Sequence, residues 1–293
     1  MFLQPLYLRP DLEAEVDRLG YSAQQRAMVR RFAQDGFLDL DLHLSQEFTD
    51  DLIREVQPYY LSRYATDPGR VLNGPTKAAK SLAANEQVIS TLWLLYGREP
   101  FPFQTLNFSV GTQQRTHADT IHFDSFPQGY MAGVWVALED VDPDNGPLHY
   151  FPGSHKLPHL TLADFGLIGS QSRKRGLTRD YVEVYEPGIA ELVKAHGFEK
   201  HEALIKRGHA FIWAANLLHG GSPIRQPGRS RHSQVTHYFF HDCAYVTPMF
   251  SDPVLGKFSM HTRRDIRTGQ KVPSIYNGKR VANIRRSILS RLP

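Results

Sequence analysis

A chain of 293 residues with 41% hydrophobic and 22% charged side chains can bury a large core within one β-rich domain and is not disordered. Its formal net charge is only +4 and it has no dense lysine or arginine run, which leaves room for an anionic small-molecule substrate but does not imply nucleic acid. The single cysteine, Cys243, excludes an internal disulfide framework and fits a reducing compartment such as the cytoplasm, and no run of 18 apolar residues marks a membrane span.

In chain order, the opening stretch lacks the long apolar core of a signal peptide. Residues 11–97 read as helical. Ser22 and Gln25 fit a capping box, Met28, Val29 and Phe32 follow at helical spacing, and Gly36 is a stop. A short strand follows at Phe37 to Leu40. Ser45 can cap a second helix carrying Phe48, Leu52, Ile53 and Val56 on one face. After a Gly/Pro-rich break, Val88, Ile89, Leu92 and Leu95 mark a third helix, ended by Gly97 and Pro100.

From Phe101 the period becomes two, and FPFQTLNFSV reads as a strand. Tyr130 to Leu138 is almost continuously apolar, as a central strand buried on both faces would be. Asp142 to Gly146 is a turn, and its Asn-Gly pair is a hairpin signal leading to a strand at Leu148 to Phe151. Residues 160–200 read as a polar insertion that covers the site, with a basic patch Arg173-Lys-Arg175 and a helix around Ile189 to His196. Strands resume at His209 to Trp213 and Ser233 to Phe240, and the tail from Val246 reads as irregular. Helices followed by many short strands suggest a mainly β sandwich flanked by helices, in one domain spanning 1–293.

His117 and Asp119 are two residues apart, which on a strand puts both on one face. A second histidine, His219, brought in by the fold would complete two imidazoles and one carboxylate. That set, with its remaining positions open, suits non-haem Fe(II). It also suits zinc in a hydrolase. A second pair, His122 and Asp124, repeats the same spacing five residues later and competes for the metal.

Several stretches together resemble the phytanoyl-CoA dioxygenase family of Fe(II)/2-oxoglutarate oxygenases, over roughly residues 20–240. They are Gln25 to Leu40, His117-Ala-Asp119, Trp135-Val-Ala-Leu-Glu-Asp140, Asn145-Gly-Pro-Leu148, Pro152-Gly-Ser-His155, His219-Gly220 and Arg231, in family order. The resemblance implies a double-stranded β-helix (jelly-roll) core at 101–245. It favours His117 and Asp119 over the later pair, because Trp135 comes eighteen residues after His117 but thirteen after His122. His122 and Asp124 would then line the substrate pocket or lie solvated at a strand edge.

The resemblance further implies Fe(II) held by His117, Asp119 and His219, with 2-oxoglutarate as cosubstrate and O2 as oxidant. The reaction would be hydroxylation of an unactivated carbon, with release of succinate and CO2. The far carboxylate of 2-oxoglutarate would pair with Arg231, twelve residues after His219, with Arg225 and Arg229 as alternatives. Ser222 and Gln104 would add polar contacts and Trp135 would border the cosubstrate. Relatives often read His-Gly-Ser where this chain reads His219-Gly-Gly-Ser222. The carboxylate of Asp119 excludes the halogenase branch, where Gly or Ala leaves room for chloride. The remaining histidines, His237 and His159 among them, read as surface, turn or hydrogen-bonded core. The competing functions are a zinc hydrolase, in which Arg231 has no role, and a non-catalytic jelly-roll binding module.

Overall fold

The computed structural model describes residues 4–62, 65–67, 70–72, 76–168 and 177–281. The patch Arg173-Lys-Arg175 lies outside the described residues.

The N-terminal helices are α1 (Leu12–Arg18), α2 (Ala23–Asp35), α3 (Gln46–Val56), α4 (Lys77–Ala83) and α5 (Glu86–Tyr96). Their ends follow the local chemistry. Ser22 and Gln25 form the reciprocal capping box of α2, and Gly36 closes that helix in the left-handed region at φ 82°. Ser45, Thr76 and Asn85 each accept a backbone N–H at the start of α3, α4 and α5. α4 is an additional helix, separated from α5 by a break at Ala84 and Asn85 that contains neither Gly nor Pro.

The strands are β1 (Phe37–Asp41), β2 (Ala65–Asp67), β3 (Arg70–Leu72), β4 (Pro100–Phe108), β5 (Asp124–Phe126), β6 (Met131–Ala137), β7 (Leu148–Tyr150), β8 (His201–Ala203), β9 (His209–Ala214), β10 (His219–Gly221), β11 (Ser233–Phe240), β12 (Ala244–Val246), β13 (Met260–His261), β14 (Arg263–Arg264) and β15 (Lys271–Val272). The major sheet runs β1-β9-β6-β11-β4-β3-β2, antiparallel throughout. A three-stranded sheet, β10-β7-β8, belongs to the other side of the sandwich, and β13-β12-β5 forms a third. These sheets form the double-stranded β-helix, mostly sheet with helices packed outside.

Each face of the major sheet has its own core. Val29, Phe32, Leu82, Leu92 and Tyr96 of the helices bury Val134, Val136, Ile212, Tyr238 and Phe240. On the inner face, Trp135, Phe211, Trp213 and Val235 pack with Leu148 and Tyr150 of the smaller sheet. Every residue of β6 is buried, as its continuous apolar sequence requires.

Three local expectations change. Gly146 does turn the chain, at φ 79°, but β6 and β7 do not pair, so the Asn145-Gly146 turn is a crossover between sheets and not a hairpin. The insertion carries an apolar cluster of its own: Leu162, Tyr181, Tyr185 and Ile189 pack on Ala118, Ile121 and Leu218. A helical turn, α6 (Leu177–Asp180), and a π-turn at Tyr181–Tyr185 lead there into α7 (Glu186–His196). The tail forms short antiparallel pairs, β12 with β13 and β14 with β15, and returns to the mouth of the sandwich. No helix among the described residues is long and apolar enough to cross a membrane.

Candidate metal centre and its cavity

His117 is not on a regular strand. It forms an isolated antiparallel bridge with His219, in which each backbone N–H donates to the other's carbonyl at 2.9 Å. Asp119 then opens a 3-10 turn, Asp119–Ile121. The imidazole and the carboxylate therefore converge through a bridge followed by a turn, and not through the pleat of a strand.

Each imidazole is oriented by the backbone. Nδ1 of His117 is 2.9 Å from the carbonyl of Arg115, and Nδ1 of His219 is 2.9 Å from that of Leu217. With the proton on Nδ1, Nε2 of each ring presents a lone pair to the same place. Those two atoms stand 3.8 and 3.9 Å from Oδ1 of Asp119, and the three donor atoms all lie within 4.8 Å of one another. All three residues are buried. Burial pulls the pKa of His117 down to about 3, so the ring is neutral at physiological pH. Burial pushes the Asp119 carboxyl up, but His219, His237, His117 and the Trp213 N–H outweigh it and bring it to about 2. Two imidazole nitrogens and an ionised carboxylate are a donor set that suits a divalent metal.

Trp213 Nε1–H donates to Oδ2 of Asp119 at 2.8 Å, leaving Oδ1 for the metal position. The indole fits because residue 133 is glycine: a Cβ there would lie 2.1 Å from the Trp213 ring. His237 spans the same carboxylate and Gln104, with Nε2 3.6 Å from Oδ2 and Nδ1 3.2 Å from the Gln104 oxygen. The 3-10 turn is anchored by Thr120, whose hydroxyl bonds Asn216, and Ser154 of the Pro152–His155 turn accepts the N–H of Leu218.

A cavity of about 430 Å³ opens over the cluster. Gln104, Trp135 and Arg231 line it together with His117, Asp119 and His219. Arg231 is 4% exposed, and its guanidinium stands 5.0 Å from the Trp135 ring and 5.9 Å from that of Phe108. Its Nε has no hydrogen-bond partner, and burial pulls its pKa to about 10, with Glu139 opposing, so it stays charged. A buried cation with an unused donor beside a metal cluster fits a carboxylate ligand. Arg225 and Arg229 face acids elsewhere, Glu202 and Asp142.

Ser222 does not line the cavity. His219, Gly220 and Gly221 of β10 all line it, and Ser222 follows the strand outside the lining. Its hydroxyl is buried without a partner. The two glycines let the preceding loop lie on β10: a Cβ would meet Gln114 O at 2.6 Å from residue 220 and Gln113 N at 2.7 Å from residue 221. Of the rival pair, His122 lines the cavity, but Asp124 turns away and bonds His159 at 2.8 Å. Among the described residues only His117, Asp119 and His219 form a metal-competent cluster.

The sequence model of one family, phytanoyl-CoA dioxygenase (PhyH), matches residues 12–233. The chain belongs to the PhyH family. It is 30% identical over 152 residues to an ectoine dioxygenase of Sphingopyxis alaskensis, covering 48% of this chain and 47% of that protein. It is 26% identical over 133 residues to the peroxisomal phytanoyl-CoA dioxygenase of Rattus norvegicus, covering 45% and 35%. The matched stretches thus span about half the length of these PhyH relatives or less. Among solved structures, the α-ketoglutarate-dependent epimerase SnoN aligns with a TM-score of 0.59 at 18% identity, over 78% of this chain and 87% of that one. EctD from S. alaskensis with 2-oxoglutarate and 5-hydroxyectoine aligns at 0.54 and 20%, over 75% and 76%. At these identities the structures share the fold.

Residues that sequence reasoning missed are Trp213 and His237, which flank Asp119, and Arg263, which enters the cavity from the tail.

Proposed function

We propose that the chain is an Fe(II)/2-oxoglutarate-dependent dioxygenase that hydroxylates an unactivated carbon of a small-molecule metabolite. The observation that carries this reading is the convergence of His117 Nε2, His219 Nε2 and Asp119 Oδ1 at the floor of a cavity that also holds the buried Arg231. When bound, Fe(II) with 2-oxoglutarate and O2 supplies a two-electron oxidation of the substrate, matched by release of succinate and CO2.

The side chains have distinct tasks. His117 and His219 offer nitrogen donors, oriented by the carbonyls of Arg115 and Leu217. Trp213 keeps the Asp119 carboxylate turned so that one oxygen faces the metal. Arg231, 5.0 Å over the Trp135 ring, pairs with the far carboxylate of 2-oxoglutarate. Gln104, tied to His237, is a polar neighbour of the bound cosubstrate. Leu106, Leu148 and Val235 give the cavity apolar walls that exclude water. Zinc hydrolysis leaves Arg231 without a task, and a non-catalytic module leaves the converging histidine pair without one. The buried free thiol of Cys243 and an oxidation-sensitive ferrous site both suit a reducing, cytoplasmic setting.

The test is anaerobic addition of Fe(II) and then 2-oxoglutarate, watching for the weak visible charge-transfer band of the chelate. The band forms in the wild type and in His122→Ala and is lost in His117→Ala and His219→Ala. A folded wild type that gives no band refutes the reading. Loss in His122→Ala with retention in His117→Ala refutes the ligand assignment alone.

A further inference from the structure

Arg70 lines the cavity beside Arg231, both over Phe108, and a further guanidinium enters it from a different part of the chain. Arg263 belongs to β14, thirty residues past the stretch that the family's sequence model matches. Its guanidinium lies 5.2, 5.5 and 5.6 Å from the rings of Phe103, Phe239 and Phe123. The three rings give the guanidinium an aromatic setting. Its Nε is closed off from solvent and makes no hydrogen bond. Burial alone acts on its pKa and draws it down to about 10; no acid raises it back, and the group stays charged at neutral pH. A cation held in this way, with no acidic partner among the described residues, gains most from an anion that arrives with a ligand.

Arg263 and Arg231 stand at opposite ends of the β4–β11 pair. Arg231 lies over Phe108 and Arg263 over Phe103. Phe108 and Phe103 are five residues apart on β4, with a bulge of the β4–β11 pair at Phe103, so the two arginines lie over different parts of the pair. The cationic groups of the cavity therefore fall at two places, Arg231 and Arg70 over Phe108 and Arg263 over Phe103. The wall that Arg263 shares includes Phe123, Met249 and Phe250 beside the polar Thr247 and His261, which suits a largely apolar body.

We propose that Arg263 is the substrate anchor: it binds the carboxylate of an otherwise apolar or aromatic small molecule and so aims the reacting carbon at the His117–Asp119–His219 cluster. The word substrate rests on the oxygenase reading; the anion site itself does not. One guanidinium edge matches one carboxylate through two parallel N–H bonds, which a neutral amide cannot reproduce.

The experiment is calorimetric titration of octanoate and 3-phenylpropanoate, each beside its neutral amide. The protein is used loaded anaerobically with Fe(II) and 2-oxoglutarate, and also metal-free. In the wild type at least one carboxylate binds tenfold or more tighter than its amide. Arg263→Gln removes that preference and Arg263→Lys keeps part of it. The 2-oxoglutarate band, recorded in each variant, reports that the site is folded. The anchor is overturned if acid and amide bind alike, if neither carboxylate binds the wild type, or if Arg263→Gln keeps the preference. A missing band with Arg263-dependent carboxylate binding intact overturns the oxygenase reading and leaves the anion site standing.

Discussion

Replacing Trp213 by Phe tests whether Asp119 is aimed by its neighbour. The indole N–H donates to Asp119 Oδ2 at 2.8 Å, with Trp213 1% and Asp119 4% exposed. A hydrogen bond to a charged group is worth about 1.5–3 kcal/mol, and its loss leaves a buried oxygen without a donor. Changes to partners that orient metal ligands lower affinity by roughly 10–100-fold, or about 1.4–2.8 kcal/mol at 1.4 kcal/mol per tenfold. The two routes agree. His237 Nε2, 3.6 Å from the same oxygen, is the nearest substitute donor and sets the lower end of the range. Phe keeps an aromatic ring over Gly133, so the packing loss is smaller than for Ala. The assay is anaerobic Fe(II) titration read by the 2-oxoglutarate band, beside thermal unfolding of the metal-free protein. A Trp213→Phe protein that binds Fe(II) within twofold of the wild type refutes the role.

Gly133→Ala drives a methyl to about 2.1 Å from the Trp213 indole, which neither β6 nor β9 can relieve by a rotamer change. The expected cost is about 1–3 kcal/mol or more, seen as a lowered thermal midpoint together with weaker metal binding. Arg231→Lys keeps the charge but loses the planar fork over Trp135, so 2-oxoglutarate binds about tenfold or more weakly in the band titration. Burial lowers the pKa of His159, but the charge and hydrogen bond of Asp124 outweigh it, and the result is raised above 6.5. Stability from this pair is therefore complete below pH 6.5 and falls as pH rises through the higher folded value; denaturant midpoints from pH 5 to 9 should show that loss in the wild type and not in His159→Gln.

How much of this was legible follows from what local sequence can encode. The caps at Ser22, Ser45, Gly36 and Gly97 are local hydrogen-bond and dihedral events, and they read correctly. β6 was legible because a strand covered on both faces carries no polar residue. β5, β7, β8, β10 and β12 have three residues each, too few to establish a period of two, so only β7 was found, beside a strong turn. Asn145-Gly146 misled because turn chemistry fixes the reversal of the chain but not the sheet that the next strand joins. In the site, His117, Asp119, His219 and Arg231 stood out through the order of their motifs. Trp213 and His237 sit inside ordinary strand patterns, and their approach to Asp119 depends on Gly133 and on the register of β11 against β4. Ser222 was lost because a second glycine follows His219, and the serine comes after the three β10 residues that line the cavity.

The cavity divides along the same line. Its floor is built from a reciprocal backbone bridge, two carbonyl-locked imidazoles and a carboxylate gripped by an indole, all tied to the interior of the sandwich. Such a floor has little freedom, which suits a metal that requires fixed ligand positions. One wall, by contrast, comes from Thr247, Met249, Phe250, His261 and Arg263, in the short strands and turns beyond the matched family region. Loop-borne walls on a rigid scaffold are where specificity is usually set. Similar proteins differ in outcome, as an epimerase on this fold and an ectoine dioxygenase among the sequence relatives illustrate. The substrate of this chain has to be argued from Arg263 and its aromatic setting, because the part of the sequence that identifies the family does not contain the β14 arginine.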